Sequence, residues 1–498
     1  MANPHTVSLT EQFESALKNI LQRVFSIASS DTTSTTSPSD VPASVSLPSA
    51  IAIAYSGGLD SSVLLALATQ YAAEQKIKLF AFHVHHGISP NADQWLAHCT
   101  AECERLGVSF DARQIALRNA DKTGVEEAAR NSRYAALGDM CRQHQVPLLL
   151  AAHHIDDQAE TVLLQLLRGS GVAGLSGMDT VNAAPALLGS ATLLMARPLL
   201  AVSRAQLEAY ALSHSISYVE DESNDDSRYA RNALRHQLMP VLSQYFVGFQ
   251  ERLTRTAGHM QSSQKLLVEL AAEDMSACAG DNCLDLEKVR QLSPARIDNL
   301  LRYWFGLHDL RMPSSAWLSE MRDQLLSAKA DAQLCVTHPE CHIRRHRNRI
   351  YLTPRDDLDR EEIDPIAFRW NGEAAMAFPI YGGILHFETS SEQGVGAEWL
   401  RQQPLQLQYR SGGERLKLAF NRPTKGMKYL YQAADIPAWE RECLPMVLAA
   451  GKLMFAAGVG FDCYLLAPDV SDKINLRWEP DNLAVRKIFP EMNLLRRD

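Results

Sequence analysis

Residues 56–61, Ser-Gly-Gly-Leu-Asp-Ser, combine the residue types that could hold a phosphate group. The segment follows the apolar run "IAIAY" and precedes residues with helical spacing. Its glycines allow a tight turn and a close approach to a ligand, and a helix start offers unpaired N–H groups and a positive dipole. We therefore predict that a phosphate or pyrophosphate binds this phosphate loop, formed by Ser56, Gly57, Gly58, Leu59, Asp60 and Ser61.

Asp60 is the unusual member of the phosphate loop. A carboxylate beside a phosphate repels it unless a cation lies between them, and a Mg²⁺ ion that bridges the two would remove the repulsion. Taken alone, the loop could equally be a turn in which Asp60 caps a helix. Its place after the first strand of an alternating strand–helix pattern favours the phosphate site.

The second candidate segment is "AAHHIDDQAET", residues 151–161, at the predicted end of a strand and start of a helix. Asp157, Glu160 and Thr161 are spaced to share one face of that helix. We expect His153 and Asp157 to point into the same cleft as the phosphate loop. Two other interpretations stay open for this segment alone: an acidic helix start stabilised by the helix dipole, and the His/Asp metal site of a phosphohydrolase.

Two further segments could contribute side chains to this cleft. In "HVHHG", His83 and His85 share one face of a predicted strand. Because no C-x-x-C pair supports a zinc site, a structural or base-contacting role is expected for them. In "GVEEAARNSRY", Glu126 and Arg130 are interpreted as an ordinary surface pair four residues apart, whereas Arg133 could reach the cleft and neutralise phosphate charge.

The net charge of −9 means that any binding of nucleic acid requires a local concentration of basic residues. One candidate follows the acidic segment "VEDESNDD", where three arginines fall on one side of a predicted helix: Arg228, Arg231 and Arg235. A second accompanies a single acidic residue, Glu414, and comprises Arg410, Arg415, Lys417, Arg422, Lys425 and Lys428. Tyr429 and Tyr431 follow it and could stack on an exposed base. A plain solvated surface is the alternative for both.

The segments between these motifs predict the elements that must position them. Strands are expected at "IAIAYSG", "LFAFHVHH", "VSFDARQIA", "PLLLAAHH" and "LLMARPLL", alternating with helices at 60–73, 92–106, 125–144, 156–167 and 204–213. This alternation predicts an α/β fold, a parallel sheet wrapped by helices, with ligands beyond the carboxyl ends of the strands. The Walker pattern G-x-x-x-x-G-K-[ST] is absent, and "GSGVAG" (169–174) follows a helix, whereas a dinucleotide site follows a strand.

The remaining sequence predicts a multidomain chain. The expected parts are a helix at 1–28, a low-complexity linker at 29–50, the catalytic α/β domain at 51–243, a helical middle domain at 244–330, a connector at 331–362 and a small α+β C-terminal domain at 363–498. The first helix and the linker carry no motif, so deletion of residues 1–46 is expected to leave activity near the wild-type level.

Composition and cysteine usage predict the class of protein. Apolar residues make up 46% and charged residues 21% of the 498 residues, as in an ordinary globular protein. The nine scattered cysteines form no disulfide or metal pattern, which favours a reducing cytoplasm. We expect no signal peptide and no membrane span, because no basic-then-apolar leader or long apolar run occurs.

Taken in order, these segments resemble the PP-loop (N-type) ATP pyrophosphatase family, whose fold is adenine nucleotide alpha hydrolase-like. "SGGLDS" is similar to the family's signature loop. "HVHHGIS", "GVEEAARNSRYAAL", "AAHHIDDQAETVLLQLLRGSGVAGLSGM", "RPLL" and "EDESNDDSRYARNALRHQLMPVL" are similar to blocks of the members that make lysidine in tRNA. "RSGGERLKLAFNRPTKGMKYLYQAADIPAWERECLPMV" is similar to the last domain of their longer form.

The resemblance implies a tRNA-modifying ligase that uses ATP and Mg²⁺. Its substrates would be free L-lysine and an isoleucine tRNA with a CAU anticodon. The carbon-2 oxygen of the wobble cytidine attacks the α-phosphate of ATP and releases pyrophosphate, and the ε-amine of lysine then displaces AMP. The product, lysidine, pairs with adenosine and changes the codon read from AUG to AUA. The sequence does not determine the oligomeric state, and a homodimer is one possibility.

The resemblance also implies residue roles. The phosphate loop and His83 would bind ATP, and Asp60 and Asp157 would hold Mg²⁺. Arg133 and His153 would act at the α-phosphate, and Asp157 with Glu160 would bind lysine. The residues implied to contact tRNA are Arg231, Arg235, Arg415, Lys417, Arg422, Lys425 and Lys428.

Four other functions are weighed against this one. A PP-loop tRNA thiolase with an iron–sulfur cluster needs C-x-x-C pairs, and the sequence has none. A glutamine-dependent amide synthetase needs an amidotransferase domain, for which no nucleophile-elbow sequence is found. A metal-dependent phosphohydrolase and a non-enzymatic nucleotide sensor stay as alternatives, and transfer of labelled lysine to tRNA would separate all of these.

Overall fold

The structure, a computed structural model, describes residues 7–27, 47–85, 87, 89–115, 125–220, 230–280, 282–329, 334–355, 363–391, 393–466 and 472–480. Arg228 and most of the predicted linker lie outside these residues. The chain divides into two units, residues 1–267 and 268–498, and the division falls within one long helix, Phe249–Cys278. Across the described residues, no helix is long and apolar enough to cross a membrane.

The first unit alternates strands and helices as the sequence predicts. Its strands are β1 Ala50–Ala54, β2 Lys78–His85, β3 Ser109–Gln114, β4 Leu148–Leu150, β5 Val181–Ala183 and β6 Leu194–Ala196. Its helices are α1 Leu9–Ile27, α2 Leu59–Gln75, α3 Ala92–Leu106, α4 Val125–Gln143, α5 Ile155–Leu167, α6 Val172–Leu175, α7 Pro185–Leu188, α8 Arg204–Ser213, α9 Ala230–Ala233, a π-helical turn Leu234–Leu238, α10 Met239–Tyr245 and α11 Phe249–Cys278.

The six strands of this unit form one sheet in the order β3-β2-β1-β4-β6-β5. Neighbouring strands are parallel except β5, which pairs antiparallel with β6 at the edge. The predicted parallel sheet is therefore confirmed, and β5 is an addition to it. The chain leaves β1 towards β2 on one side and returns to β4 on the other. Ligands of such sheets bind where the strand order reverses, beyond the carboxyl ends of β1 and β4.

Helix α1 belongs to the core of this unit. Phe13, Leu17, Ile20 and Leu21 are at most 2% exposed and pack with residues of α2 and α8. The ring of Phe13 meets the ring of Tyr71 edge to face, with centroids 6.3 Å apart. The expectation that deletion of residues 1–46 leaves activity near the wild-type level stays a prediction, and this packing argues against it, because the removal of α1 would expose apolar surface to water.

Among its described residues, the second unit has four more sheets and shorter helices. Its strands are β7 Ala279–Gly280, β8 Cys283–Asp285, β9 Cys335–Thr337, β10 Cys341–His346, β11 Arg349–Pro354, β12 Ile366–Phe368, β13 Ala375–Phe378, β14 Gly383–Ser390, β15 Val395–Gly396, β16 Leu405–Gln408, β17 Arg415–Leu416, β18 Lys425–Gly426, β19 Met446–Ala449, β20 Lys452–Ala456, β21 Gly460–Phe461 and β22 Lys473–Pro480. Its helices after α11 are α12 Leu286–Val289, α13 Pro294–Leu307, α14 Ser315–Ser327, a 3₁₀ turn Pro379–Tyr381, α15 Ala397–Gln402, α16 Met427–Ala433 and α17 Ala438–Arg441.

The predicted helical middle region is built on a small sheet. Helices α12, α13 and α14 lie between β8 and β9 in the chain, and these strands join the sheet β7-β8-β11-β10-β9. Trp304 and Phe305 of α13 share a core with Ile343 of β10 and Ile350 of β11. The segment predicted as a connector therefore packs directly against these helices, whereas the domain boundaries given above stay predictions.

Candidate active site

The phosphate loop lies where the sequence places it, between β1 and the start of α2. Gly57 has φ +85°, and a Cβ atom there would lie 2.8 Å from Cys99 Sγ, so this position requires glycine. The Gly57 carbonyl accepts a hydrogen bond from the Val219 backbone N–H at 2.9 Å. The backbone is thereby fixed in a tight turn at the carboxyl end of β1, where helix α2 begins.

The serines of this region differ in accessibility. Ser56 is exposed, whereas Ser61 and Ser62 are buried. Ser61 Oγ donates to the Gly58 carbonyl at 3.0 Å, and Ser62 Oγ donates to the Gly57 carbonyl at 3.2 Å. The two buried hydroxyls thus hold the loop in shape, and Ser56 is the one whose side chain is open to a ligand.

Beyond β4, the second candidate segment meets the phosphate loop through a histidine. His154 is 1% exposed, and its Nε2 lies 3.4 Å from Asp157 Oδ2 and 3.7 Å from Asp60 Oδ2. Its Nδ1 lies 3.5 Å from Asp156 Oδ2. Three carboxylates from the first turns of α2 and α5 therefore surround one imidazole, and the predicted pair Asp60 and Asp157 is brought together through it.

The carboxylates decide the charge of His154. Burial by itself lowers the pKa of the imidazole, but Asp156, Asp60 and Asp157 together raise it to about 10. For Asp156, burial opposes ionisation, yet contact with His154 and the backbone N–H of Arg204 lowers the pKa to about 2. For Asp157, burial likewise opposes ionisation, and the charge of His154 lowers the pKa. His154 is therefore an imidazolium near neutral pH.

Glu160 is held by two arginines from the π-helical region. It is 1% exposed, and it accepts from Arg231 Nε at 2.8 Å and from Arg235 Nε at 2.6 Å. Arg235 also donates to Asp157 Oδ1 at 3.1 Å. Asp157 and Glu160, predicted to bind lysine, therefore contact Arg231 and Arg235, which the resemblance implies to contact tRNA.

The site is balanced in charge. Four carboxylates, those of Asp60, Asp156, Asp157 and Glu160, contact four cations, namely His154, Arg204, Arg231 and Arg235. One buried oxygen, Asp60 Oδ1, has no hydrogen-bond partner. Addition of a polyphosphate would leave excess negative charge there, and an unpartnered carboxylate oxygen is the ligand type that Mg²⁺ prefers. The residues therefore fit a magnesium ion that arrives with the phosphates, although no cluster of three potential ligands is present among the described residues.

His153 lies beside this network, whereas Arg133 does not contact it. Burial lowers the pKa of His153 and Asp157 opposes this, but the charges of Arg197, Arg231 and Arg130 add to the effect of burial, so the pKa lies below its usual value and the imidazole is neutral. The guanidinium of Arg133 is exposed and lies over the ring of Tyr134, 5.3 Å from its centroid. Arg130 is interpreted from the sequence as a surface partner of Glu126, and its charge acts on the pKa of His153. The Glu126 side chain is outside the described residues.

The two histidines of β2 have different partners. His83 is buried, and its Nδ1–H donates to the Tyr55 carbonyl at 3.0 Å. Burial lowers the pKa of its ring. His85 Nε2 lies 3.0 Å from Asp93 Oδ1 on α3. His83 therefore supports the strand end that leads into the phosphate loop.

Two of the predicted basic residues of the second unit, Lys417 and Lys425, lie against exposed aromatic residues. Lys417 Nζ lies 2.9 Å from the Tyr464 hydroxyl, and Lys425 Nζ lies 4.8 Å from the ring centroid of Tyr429. Phe420 and Tyr464 meet edge to face at 5.6 Å, and both are 66% exposed. We name these residues the C-terminal basic surface: Arg415, Lys417, Phe420, Arg422, Lys425, Lys428, Tyr429 and Tyr464.

The prediction that Tyr431 could stack on an exposed base is wrong. Tyr431 is completely buried in the core formed with Leu416 and Met446, whereas Tyr429 is 55% exposed. The two tyrosines lie two positions apart on helix α16, and residues at that spacing point to different faces. Tyr464 and Phe420 provide the exposed rings instead.

Sequence reasoning missed two residues of the site. His154 follows His153 directly, and the choice between them depends on where β4 ends, because neighbouring side chains point to opposite faces. The doublet "HH" was the available signal. Arg204 contacts Asp60 at 3.4 Å from 144 positions away, and nothing in its local sequence indicates this.

Three protein-family models match separate parts of the chain. Residues 32–242 match the family described as "PP-loop domain", residues 284–351 match "TilS substrate binding domain", and residues 405–478 match "TilS substrate C-terminal domain". The first match contains the phosphate loop and His154. The third contains the C-terminal basic surface.

Several curated relatives are similar over most of their length. A tRNA(Ile)-lysidine synthase of Ralstonia nicotianae is 40% identical over 83% of this chain and 89% of the relative. Relatives with the same name from Burkholderia pseudomallei and Nitrosomonas europaea are 37% and 35% identical over 87% of this chain, and over 94% and 92% of their own lengths.

Proposed function

This chain belongs to the tRNA(Ile)-lysidine synthase family, and from that premise we propose that it joins L-lysine to the wobble cytidine of an isoleucine tRNA with a CAU anticodon. The observation that carries the proposal within the structure is the contact of Asp60 and Asp157 with one imidazolium. This contact brings the phosphate loop and residues 151–161 together at the carboxyl edge of the sheet, where ligands bind. The alternatives of a thiolase and a phosphohydrolase are not favoured by these relatives.

The reaction takes place in two balanced steps. In the first, the carbon-2 oxygen of cytidine forms a bond to the α-phosphorus of ATP, and the bond to the β-phosphate oxygen breaks to release pyrophosphate. In the second, the ε-amine of lysine forms a bond to carbon 2, the carbon–oxygen bond to AMP breaks, and the amine loses a proton. ATP supplies the leaving group for both steps.

The phosphate loop is proposed to hold the pyrophosphate portion of ATP. Its backbone N–H groups at the start of α2 point to the carboxyl edge of the sheet, and Ser56 adds an accessible hydroxyl. Asp60 and Asp157 would hold Mg²⁺, which neutralises the phosphates when bound. His154 and Arg204 keep the Asp60 carboxylate in place through Oδ2 and leave Oδ1 free of hydrogen bonds.

Lysine is proposed to bind next to Asp157 and Glu160. Because Arg231 and Arg235 already neutralise these acids, an arriving ammonium group shares them with two guanidinium groups. The nearby positive charges disfavour the ammonium form and thereby promote loss of the proton that the amine must lose before it attacks. The neutral His153 and the cation Arg133 remain the proposed partners of the α-phosphate.

The C-terminal basic surface is proposed to bind tRNA. Cations that alternate with exposed rings can contact phosphates and stack on unpaired bases. Glu414 does not oppose it, because Glu414 Oε1 accepts hydrogen bonds from the backbone N–H groups of Ser411 and Gly412 at 2.7 and 2.8 Å.

The decisive experiment measures lysine transfer. The full chain is incubated with ATP, Mg²⁺, radiolabelled lysine and unmodified isoleucine tRNA with a CAU anticodon, and label in the RNA is counted. The matched control is the same tRNA with guanosine at the wobble position, which lacks the carbon-2 oxygen of cytidine. Equal label in both RNAs, or none in either, would contradict the proposed function.

A further inference from the structure

Arg231 of the active site, together with Arg130 and Arg168, also lines a cleft on the flank of helix α5. The cleft has a volume of about 160 Å³ and is bordered by Arg130, Thr161, Gln165, Arg168 and Arg231. Arg130 comes from α4, Arg231 from α9, and Arg168 directly follows the last residue of α5. Three chain segments that are distant in sequence therefore bring three guanidinium groups to one small opening.

The side chains that border the cleft carry a net positive charge. Arg231 is neutralised by Glu160, but Arg130 and Arg168 form no ion pair with any side chain that the structure describes. Both are exposed, and the carbon of the Arg130 guanidinium lies 5.8 Å from the Tyr134 ring centroid. No acidic residue is among those that border the opening within the described chain. Guanidinium groups so arranged are suited to a planar or tetrahedral oxyanion, above all to phosphate.

We propose that this cleft binds a backbone phosphate of the RNA strand, next to the cytidine that reacts. This inference rests on the proposed function, because it takes the cytidine to lie at Asp157. Thr161 and Gln165 of the cleft follow Asp157 on the same helix by one and two turns, and Arg168 follows it by three, so the opening extends along α5 from about 6 Å at Thr161 to about 16 Å at Arg168. A phosphate adjacent to the reacting nucleotide lies at that range.

Nucleotide phosphates are the other source of the same chemistry. The phosphate loop meets the amino end of α5 through Asp60 and His154, whereas the cleft lies towards the carboxyl end. ATP bound to the loop would place its pyrophosphate away from Arg168. The position along the helix therefore favours the RNA strand.

The glycine segment that follows supports the position of Arg168. Gly169 has φ +71°, which ends α5 directly after Arg168. Ser170 Oγ then lies 2.6 Å from Gln165 Oε1. The segment "GSGVAG", which matches no dinucleotide site, thereby follows Arg168 directly and contacts Gln165 of the cleft border.

The test compares three single variants of the full chain. Arg168→Gln removes the charge, Arg168→Lys retains it, and Arg105→Gln removes an exposed charge on α3 that pairs with Glu102. Binding of unmodified isoleucine tRNA is measured by filter retention over a salt series without ATP, and KM for ATP is measured separately in lysine transfer.

The expected result is specific to Arg168→Gln. Its tRNA affinity should fall roughly tenfold at low salt, as expected for loss of one charged hydrogen bond. Its log–log salt slope should decrease by about 0.7–0.9, the value for one phosphate contact. Arg168→Lys should keep the slope, Arg105→Gln should keep both quantities, and KM for ATP should not change.

Two results would overturn the inference. A raised KM for ATP with unchanged tRNA binding would assign the cleft to nucleotide phosphates. Unchanged values for both would make it a solvated surface. Because RNA binding is measured without turnover, a wild-type chain that fails to transfer lysine would contradict the proposed function and still leave the comparison of Arg168 variants interpretable.

Discussion

At the scale of single residues, the site depends on which oxygen atoms are already occupied. Asp60 uses Oδ2 for His154 and Arg204 and leaves Oδ1 buried without a partner. Asp156 uses both oxygens, one for the Arg204 backbone N–H at 2.9 Å and one for Gln250 Nε2 at 3.2 Å. Neighbouring acids therefore differ in whether they are free to bind a ligand.

Asp60→Asn should abolish lysine transfer while the protein remains folded. The amide retains the size of the side chain but removes the charge that magnesium and His154 require. The measurement is the rate of lysine transfer, with circular dichroism to report folding. Asp139→Asn is a matched control, because Asp139 is an exposed acid that pairs with Arg142 on α4. Near-normal turnover of the Asp60→Asn variant would contradict this prediction and would mean that Asp60 only caps helix α2.

Asp157→Ala should lose far more activity than Asp156→Ala. Both acids contact His154, but Asp157 also binds Arg235 inside the site, whereas Asp156 binds the Arg204 backbone and Gln250. Asp156→Ala should instead lower the free energy of unfolding by about 1–3 kcal/mol. Transfer rates and thermal unfolding of both variants test this, and equal losses of activity would contradict it.

The charge of His154 predicts a pH dependence of stability without ATP or magnesium. Its pKa of about 10 in the folded chain exceeds the usual 6.5, so the folded state retains a proton that the unfolded state loses. The stabilisation is complete below about pH 6.5 and is lost as pH rises through about 10. His154→Gln should flatten this decline in urea unfolding between pH 7 and 10. An unchanged decline would mean that other groups cause it.

At the scale of elements, helix α1 is the chain's addition to the α/β core. It lies before the matched PP-loop region, which begins at residue 32, yet it buries four apolar side chains against α2 and α8. Since α2 begins at the phosphate loop, α1 supports the helix on which the loop depends.

Leu17→Ala should destabilise the first unit by about 2–5 kcal/mol, because it leaves a cavity in a fully buried position. Lys18→Ala is the control, since Lys18 is exposed and pairs with Glu14 of the same helix. Chemical unfolding of both variants measures the difference. If Leu17→Ala were as stable as the control, α1 would be dispensable, as the sequence alone had suggested.

At the scale of the whole molecule, an acidic chain is proposed to bind an RNA through local concentrations of cations. Replacement of three basic residues should weaken tRNA binding and lower the log–log salt slope by roughly 0.7–0.9 for each lost phosphate contact. These residues are Arg415, Lys417 and Lys425. KM for ATP should not change. The control neutralises three exposed cations elsewhere in the same unit: Arg401, Lys452 and Arg477. Equal effects of the two sets would indicate general electrostatics without a specific surface.

The sequence by itself determined the elements and the phosphate loop. Helices α3 and α8 begin and end at the predicted residues, and β1 leads into the loop, because hydrophobic periodicity and glycine placement are local properties. The family resemblance added the expected chemistry. Features that depend on about a dozen neighbouring residues, such as helix bounds and the phosphate loop, could therefore be predicted from the sequence.

The tertiary structure decided which side chains meet. Glu160 binds Arg231 and Arg235, which follow it by 71 and 75 positions in the sequence. Arg204 contacts Asp60, which precedes it by 144 positions. His154 rather than His153 lies between the carboxylates, because the end of β4 sets which neighbour points to the phosphate loop. Contacts of this kind depend on how the sheet and helices pack, and one sequence carries no local signal for them.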